Sequence, residues 1–170
     1  MSRAFTKEST DDLVAGELPE RPVPVHANYV TPQGREQLQA RARALQARHE
    51  QLVAQVEDDS GVKQKLREIE RDQRYVNAQL ERSTVVDPAG QPRDEVHFGA
   101  AVRIVDEDGK KQAFTIVGDD EADVAAGKIS WASSLARAMM GAKVGDTVKW
   151  RRPAGETEVE IAAISYPKKA

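Results

Sequence analysis

Glu57, Asp58 and Asp59 form an acidic run just ahead of Ser60 and Gly61. Carboxylates are hard oxygen ligands and suit Mg2+. On an exposed turn they cannot hold the ion tightly alone, because Mg2+ gives up its waters reluctantly, but Asp58 and Asp59 could complete a metal site supplied by a partner. The same residues are also ordinary turn chemistry, and Asp59 or Ser60 suits the N-cap of a following helix. Spacing alone favours this structural use.

Basic residues lie on either side of the run. Arg48 precedes it and Lys63, Lys65 and Arg67 follow, with Arg41, Arg43, Arg71 and Arg74 further out. They could meet RNA or DNA phosphates. Glu36, Glu50, Glu68, Glu70 and Asp72 dilute the patch, so a solvated face of mixed charge is the plainer reading. A second acidic cluster, Asp119-Asp120-Glu121, lacks the spacing of a calcium-binding loop. His26, His49 and His97 stand apart, and the chain has no cysteine, which excludes disulfides, thiolate catalysis and Cys-based zinc sites. No P-loop, dinucleotide motif or nucleophile elbow is present.

These residues need elements to position them. Thr31-Pro32 reads as an N-cap and first turn. Leu38, Ala42, Leu45, His49, Leu52 and Val56 then keep a heptad seam. After the turn at residues 58–61, a second helix from about Val62 to Arg82 carries Val62, Leu66, Ile69, Gln73, Val76 and Leu80 on its own seam. The two seams mirror each other about Asp59. Leu38 faces Leu80, Ala42 faces Val76, Leu45 faces Gln73, His49 faces Ile69, Leu52 faces Leu66 and Val56 faces Val62. This predicts an antiparallel two-helix coiled coil roughly 35–40 Å long with Asp58, Asp59 and Ser60 at its far end. His49 is expected to be buried or half-buried and hydrogen-bonded rather than a metal ligand.

Beyond Pro88 the pattern becomes strand-like. Phe98–Val105 and Gln112–Val117 flank a turn at Asp108-Gly109. Residues 118–128 read as an acidic loop, Ser134–Met140 as a short helix closed by Gly141, and Thr147–Arg151 and Glu156–Ser165 as two further strands. The expected fold is α+β, with an N-terminal helical hairpin followed by an antiparallel β-sheet domain with one short helix. Three segments follow: an extended arm over 1–28, rich in proline and acid and read first as a solvated tail, with folding against the β-domain or a partner as the alternative; the coiled coil over 29–83; and the β-rich domain over 84–170.

The bulk numbers agree with an appended rod. Of the 170 residues, 31% are charged and 39% hydrophobic, a low apolar share for one compact globule. The net charge of -3 argues against a domain that clamps phosphates over its whole surface. The N-terminus has no signal-peptide pattern and no run of apolar residues is long enough to span a membrane. Together with the lack of cysteine, this fits a cytoplasmic protein with no membrane partner.

Several segments resemble the Gre transcript-cleavage factors. They are Tyr29–Leu38, Val85-Val86-Asp87, Phe98–Val102, Ile116–Asp123, Gly127–Ser130, Leu135–Ala138, Gly145-Asp146 and Pro153–Glu156, in the family's order over most of residues 29–166. The resemblance implies that the C-terminal domain is FKBP-like and docks at the RNA polymerase secondary channel. It also implies that the coiled coil reaches inward, so that Glu57, Asp58 and Asp59 help hold a catalytic Mg2+ shared with the polymerase. The chain would then have no cofactor and no small-molecule substrate of its own. It would be an accessory factor, not an enzyme, and would meet nascent RNA only within the complex, with Arg48, Lys63, Lys65 and Arg67 facing it. Polymerase docking would fall to Asp119, Asp120, Glu121, Trp131, Ala132, Ser134 and Arg137.

The chain also departs from the family. The usual Asp-Leu-x-Glu-Asn tip motif is missing, each arm is about one heptad shorter (roughly 10 Å less reach), and Ser134 stands where the family usually has Pro. The shortening also resembles the short-coiled-coil regulators of nucleoside diphosphate kinase, which bind polymerase without cleavage activity. A peptidyl-prolyl isomerase is a remote alternative raised only by the FKBP-like fold, since few aromatics are available to line its pocket.

Overall fold

A computed structural model describes residues 18–55 and 59–169. Helix α1 spans Pro32–Val53 and helix α2 spans Ser60–Glu81, each 22 residues and therefore about 33 Å long. Thr31 caps α1, its side chain accepting from the Gly34 amide at 2.9 Å. Asp59 caps α2, accepting from the Gly61 amide at 2.8 Å. The seams meet as the spacing requires. Val30, Leu38 and Val76 are buried together, with Ala42, Leu45, Tyr75 and Leu80 packed around them. Midway along the hairpin Gln73 donates to Gln46 at 3.1 Å and half-buried His49 lies 3.2 Å from Glu70, and nearer the turn Leu52 is buried again. Val56, and with it the last expected seam pair, lies outside the described residues.

Two short strands sit at the base of the hairpin. β1 (Asn28–Val30) enters α1 and β2 (Ser83–Val85) leaves α2; they pair in parallel, Tyr29 opposite Thr84. The main sheet has five strands: β3 (Ala101–Asp106), β4 (Lys111–Val117), β5 (Lys128–Ser130), β6 (Thr147–Arg152) and β7 (Gly155–Ser165), in the order β5-β4-β3-β7-β6. The sequence led us to expect an antiparallel sheet. The sheet is in fact mixed, because β5 joins β4 in parallel, with Ile129 opposite Ile116. The stretch read as one acidic loop is two short 3-10 turns, Asp119–Glu121 and Val124–Ala126, followed by β5.

At the β3–β4 turn, Asp106 accepts from the amides of Asp108 and Lys110, while Gly109 takes a φ of +78° that a β-branched residue would resist. Helix α3 (Ser134–Met139) closes one face of the sheet. The core there is built from alternate strand residues, including Val102, Ile104, Ile116 and Ile161, with Leu135 and Met139 of α3. Tyr166 ties down the C-terminal end: its hydroxyl donates to the Glu95 carbonyl at 2.5 Å and accepts from the His97 amide at 2.8 Å. Burial pushes its ionisation upward.

Residues 18–27 have no regular structure, but they are not a solvated tail. They lie along α2 and are fastened to it by side chains. Residues 1–17, the remainder of the expected arm, lie outside the described residues.

Gly34 lies in the first turn of α1 and is buried. A Cβ there would come within 2.1 Å of the Glu121 carboxyl carbon. Alanine normally improves a helix over glycine by about 1 kcal/mol, but here it would push Glu121 off its hydrogen bonds, at a cost of about 1–3 kcal/mol. Gly34→Ala is therefore expected to lower the denaturation midpoint. In a Glu121→Ala background the same change is expected to raise it, and a stabilising effect in both backgrounds would contradict this packing.

Candidate functional site

The consecutive carboxylates Asp119, Asp120 and Glu121 reach three different parts of the chain. They follow Gly118 at the end of β4, and the tight 3-10 turn aims each side chain in its own direction. The backbone of Gly118 is hemmed in: a Cβ there would lie 2.5 Å from the Tyr29 carbonyl. Asp119 lies 2.6 Å from the His26 imidazole and accepts from the Ser130 hydroxyl at 2.5 Å. Asp120 accepts from the Tyr75 hydroxyl at 2.8 Å and the Gln79 amide at 2.7 Å. Glu121 accepts from the Thr31 amide at 3.1 Å, the Gly118 amide at 3.2 Å and the Thr31 hydroxyl.

Glu121 also supplies what α1 lacks. The first turn of that helix carries no acidic residue, yet a helix N-terminus presents free amides and partial positive charge. A carboxylate from the sheet module fills that role. Thr31 passes the contact on, donating its hydroxyl to Glu121 while accepting from the Gly34 amide.

Gln79 is fully buried and fully used. It donates to Asp120, accepts from Arg82 at 3.1 Å, and its carbonyl accepts from Asn28 at 2.8 Å. Neither Gln79 nor Tyr75 is on the expected seam. Their partners lie 41 and 45 residues away, so no local pattern marks them. Burial and the Asp120 hydrogen bond push the Tyr75 hydroxyl up to about 12.

The acidic loop was one part of the expected docking surface. Its carboxylates are half-buried and hydrogen-bonded within the chain. Of the others, Ser134 and Arg137 are exposed, and Ala132 and Trp131 are half-buried. Trp131 stacks edge-on against Tyr29 (4.9 Å) and His26 (5.3 Å). With Phe98, Val86, His97 and Met140, the Tyr29 and Trp131 rings border an apolar groove of about 320 Å3.

At the far end of the hairpin, Asp59 is exposed and engaged as a cap; Glu57 and Asp58 lie outside the described residues. Arg48, Lys63, Lys65 and Arg67 are all exposed. Lys63 and Arg67, four apart, share one face of α2, whereas Lys65 is turned away from both. Arg67 donates to Gln64 at 3.0 Å and, with Glu70 and Arg74, borders a cleft of about 480 Å3 whose other wall is Leu18, Pro19 and Glu20. The structure therefore does not gather the four expected RNA-facing cations into one patch.

Among the described residues, no group of three or more His, Cys, Asp or Glu side chains is placed to hold a metal ion, and no helix is long and apolar enough to cross a membrane.

Fold and site together define a helical stalk fastened at its base to a small α+β module. A family model described as the C-terminal part of transcription elongation factor GreA/GreB matches residues 91–166. The chain is 36% identical over 155 residues to transcription elongation factor GreB of Neisseria meningitidis serogroup B, covering 83% of this chain and 95% of that protein. It is 43% identical over 86 residues to GreA of Rhizobium etli, covering 50% of this chain and 54% of that one. A solved GreA/GreB factor from Nitrosomonas europaea aligns with a TM-score of 0.40 at 23% identity, over 83% of this chain and 99% of that one. The chain belongs to the GreA/GreB family of transcription elongation factors.

The Tyr75–Asp120 contact has a pH signature. A tyrosine in the unfolded chain ionises near 10, whereas folded Tyr75 does so at about 12. The stabilisation is complete below pH 10 and is lost as pH rises through this window, because only the unfolded chain releases the proton there. Asp120→Asn is expected to lower the alkaline titration of Tyr75, assigned by the difference spectrum against Tyr75→Phe. An unchanged titration would mean that Asp120 does not act on this hydroxyl.

Proposed function

We propose that this protein regulates transcription elongation by docking its sheet module on RNA polymerase and extending its helical hairpin into the secondary channel. The observation that carries this reading is the fastening of the hairpin base by Asp119, Asp120 and Glu121. A stalk can deliver its tip to a chosen place only if its base does not swivel.

In this reading Ser134 and Arg137, with the rim of the Trp131 groove, face the polymerase. The three acidic residues support that surface from behind. At the far end, Asp58 and Asp59 approach the polymerase active site, and Asp59 can turn a carboxylate oxygen toward a metal because it is exposed on a cap. A Mg2+ ion shared with the polymerase would supply Lewis-acid activation of the water that cleaves backtracked RNA. The chain's own contribution is to place carboxylates at the end of a stiff rod.

The test uses halted, backtracked elongation complexes. The protein is expected to compete with a Gre factor for polymerase, and any shortening of the RNA that it brings about is expected to vanish in Asp58→Asn/Asp59→Asn while competition persists. Competition without cleavage by the unaltered protein would make it a channel-occupying modulator. Loss of both would contradict the docking reading. Arg137→Glu is expected to weaken competition several-fold without lowering thermal stability, since a surface change of this kind usually alters stability by less than about 0.5 kcal/mol.

A further inference from the structure

The segment Leu18–Ala27 contributes no strand or helix, yet its side chains make contacts with both halves of the molecule. Glu20 grips Arg74 of α2 through both carboxylate oxygens, each 3.1 Å from the guanidinium Nε, with a further contact at 2.5 Å. That ion pair holds the Glu20 carboxyl below its ordinary ionisation range, chiefly through the hydrogen bond to Arg74. Arg21 lies 3.9 Å above the Tyr75 ring and reaches Asp72 at 3.4 Å. His26 turns the other way, to Asp119 of the sheet module and edge-on to Trp131. Its carbonyl accepts from Arg82 at the foot of α2.

Tyr75 links the two sets of contacts. Arg21 covers its face while its hydroxyl donates to Asp120. The arm and the acidic loop therefore clamp one ring from two sides, and the arm crosses the junction between hairpin and sheet from α2 to Asp119. A segment with only a spacing role would not need a bidentate ion pair, a cation stacked on a ring and a histidine on a carboxylate within seven residues.

We infer that Glu20, Arg21 and His26 are positioning residues: the arm is a brace that fixes the angle of the hairpin on the sheet module and so fixes where the tip lies. The inference rests on the proposed delivery of that tip, but it can be tested on the free protein. The chain has no cysteine, so Gln55→Cys near the tip and Val144→Cys on the sheet module, both exposed, accept a unique pair of spin labels. Pulsed dipolar spectroscopy of the full chain is expected to give one narrow distance distribution.

Glu20→Lys is expected to make that distribution at least about twice as broad, as the arm detaches locally. Glu20→Lys/Arg74→Glu is expected to narrow it again, which a general loss of folding would not do. The triple variant Glu20→Ala/Arg21→Ala/His26→Ala is expected to broaden it with helical circular dichroism unchanged. If Glu20→Lys and the triple variant both keep the parent's mean distance and width, the brace is overturned. No polymerase is present, so this result stands apart from the cleavage assay.

Discussion

Asp119, Asp120 and Glu121 are consecutive, and like charges this close repel unless each is separately satisfied. The structure satisfies them by sending each to a different segment: the arm at His26, α2 at Tyr75 and Gln79, and the start of α1 at Thr31. A single turn after β4 therefore holds the arm, both helices and the sheet in one arrangement. Much nearby follows from this. Gly34 and Gly118 leave room for the turn, Gln79 is buried because all its polar groups find partners, and the parallel β1–β2 pair brings the hairpin's two ends beside the turn.

The two halves of the molecule are stabilised differently. The sheet module has a conventional core, with strand residues and α3 burying apolar surface on one face. The hairpin has a seam, buried at its base around Leu38 and Val76 and again at Leu52 near its turn, with Gln46–Gln73 and His49–Glu70 hydrogen bonds along the stretch between. Helical stability in a folded chain comes mostly from packing and a two-helix seam offers little of it, so the hairpin depends on what holds its base. In the proposed function that dependence has a purpose, because a stalk that places its tip works only from a fixed base.

Legibility in the sequence followed the range of the interactions. The hairpin could be read because a seam of period 3.5 mirrored about Asp59 is a local pattern repeated six times. Asp108-Gly109 and Ser134–Gly141 were legible for the same reason, as turn and cap chemistry acts over a few residues. β5 was missed because three residues that pair in parallel have no signature of their own. The partners of the acidic loop were missed because Thr31 and Glu121 are 90 residues apart, and His26 and Asp119 are 93 apart. Three adjacent carboxylates read from sequence as a solvated or docking surface. Only the fold shows that the hairpin base and the arm surround them. For the arm, prolines and acids describe an extended chain, but not the helix that residues 18–27 lie against.

The central claim is that this acidic turn makes the stalk and the sheet one mechanical unit, and the protein's own chromophores can test it. Both tryptophans, Trp131 and Trp150, lie in the sheet module, while most helix lies in the hairpin. Denaturant unfolding should therefore be followed by tryptophan fluorescence and by helical circular dichroism in the same samples. The two transitions are expected to coincide in the parent protein and to separate in Asp119→Ala/Glu121→Ala, with the helical signal lost first. Separate transitions in the parent, or coincident ones in the variant, would contradict the claim that these carboxylates carry the coupling.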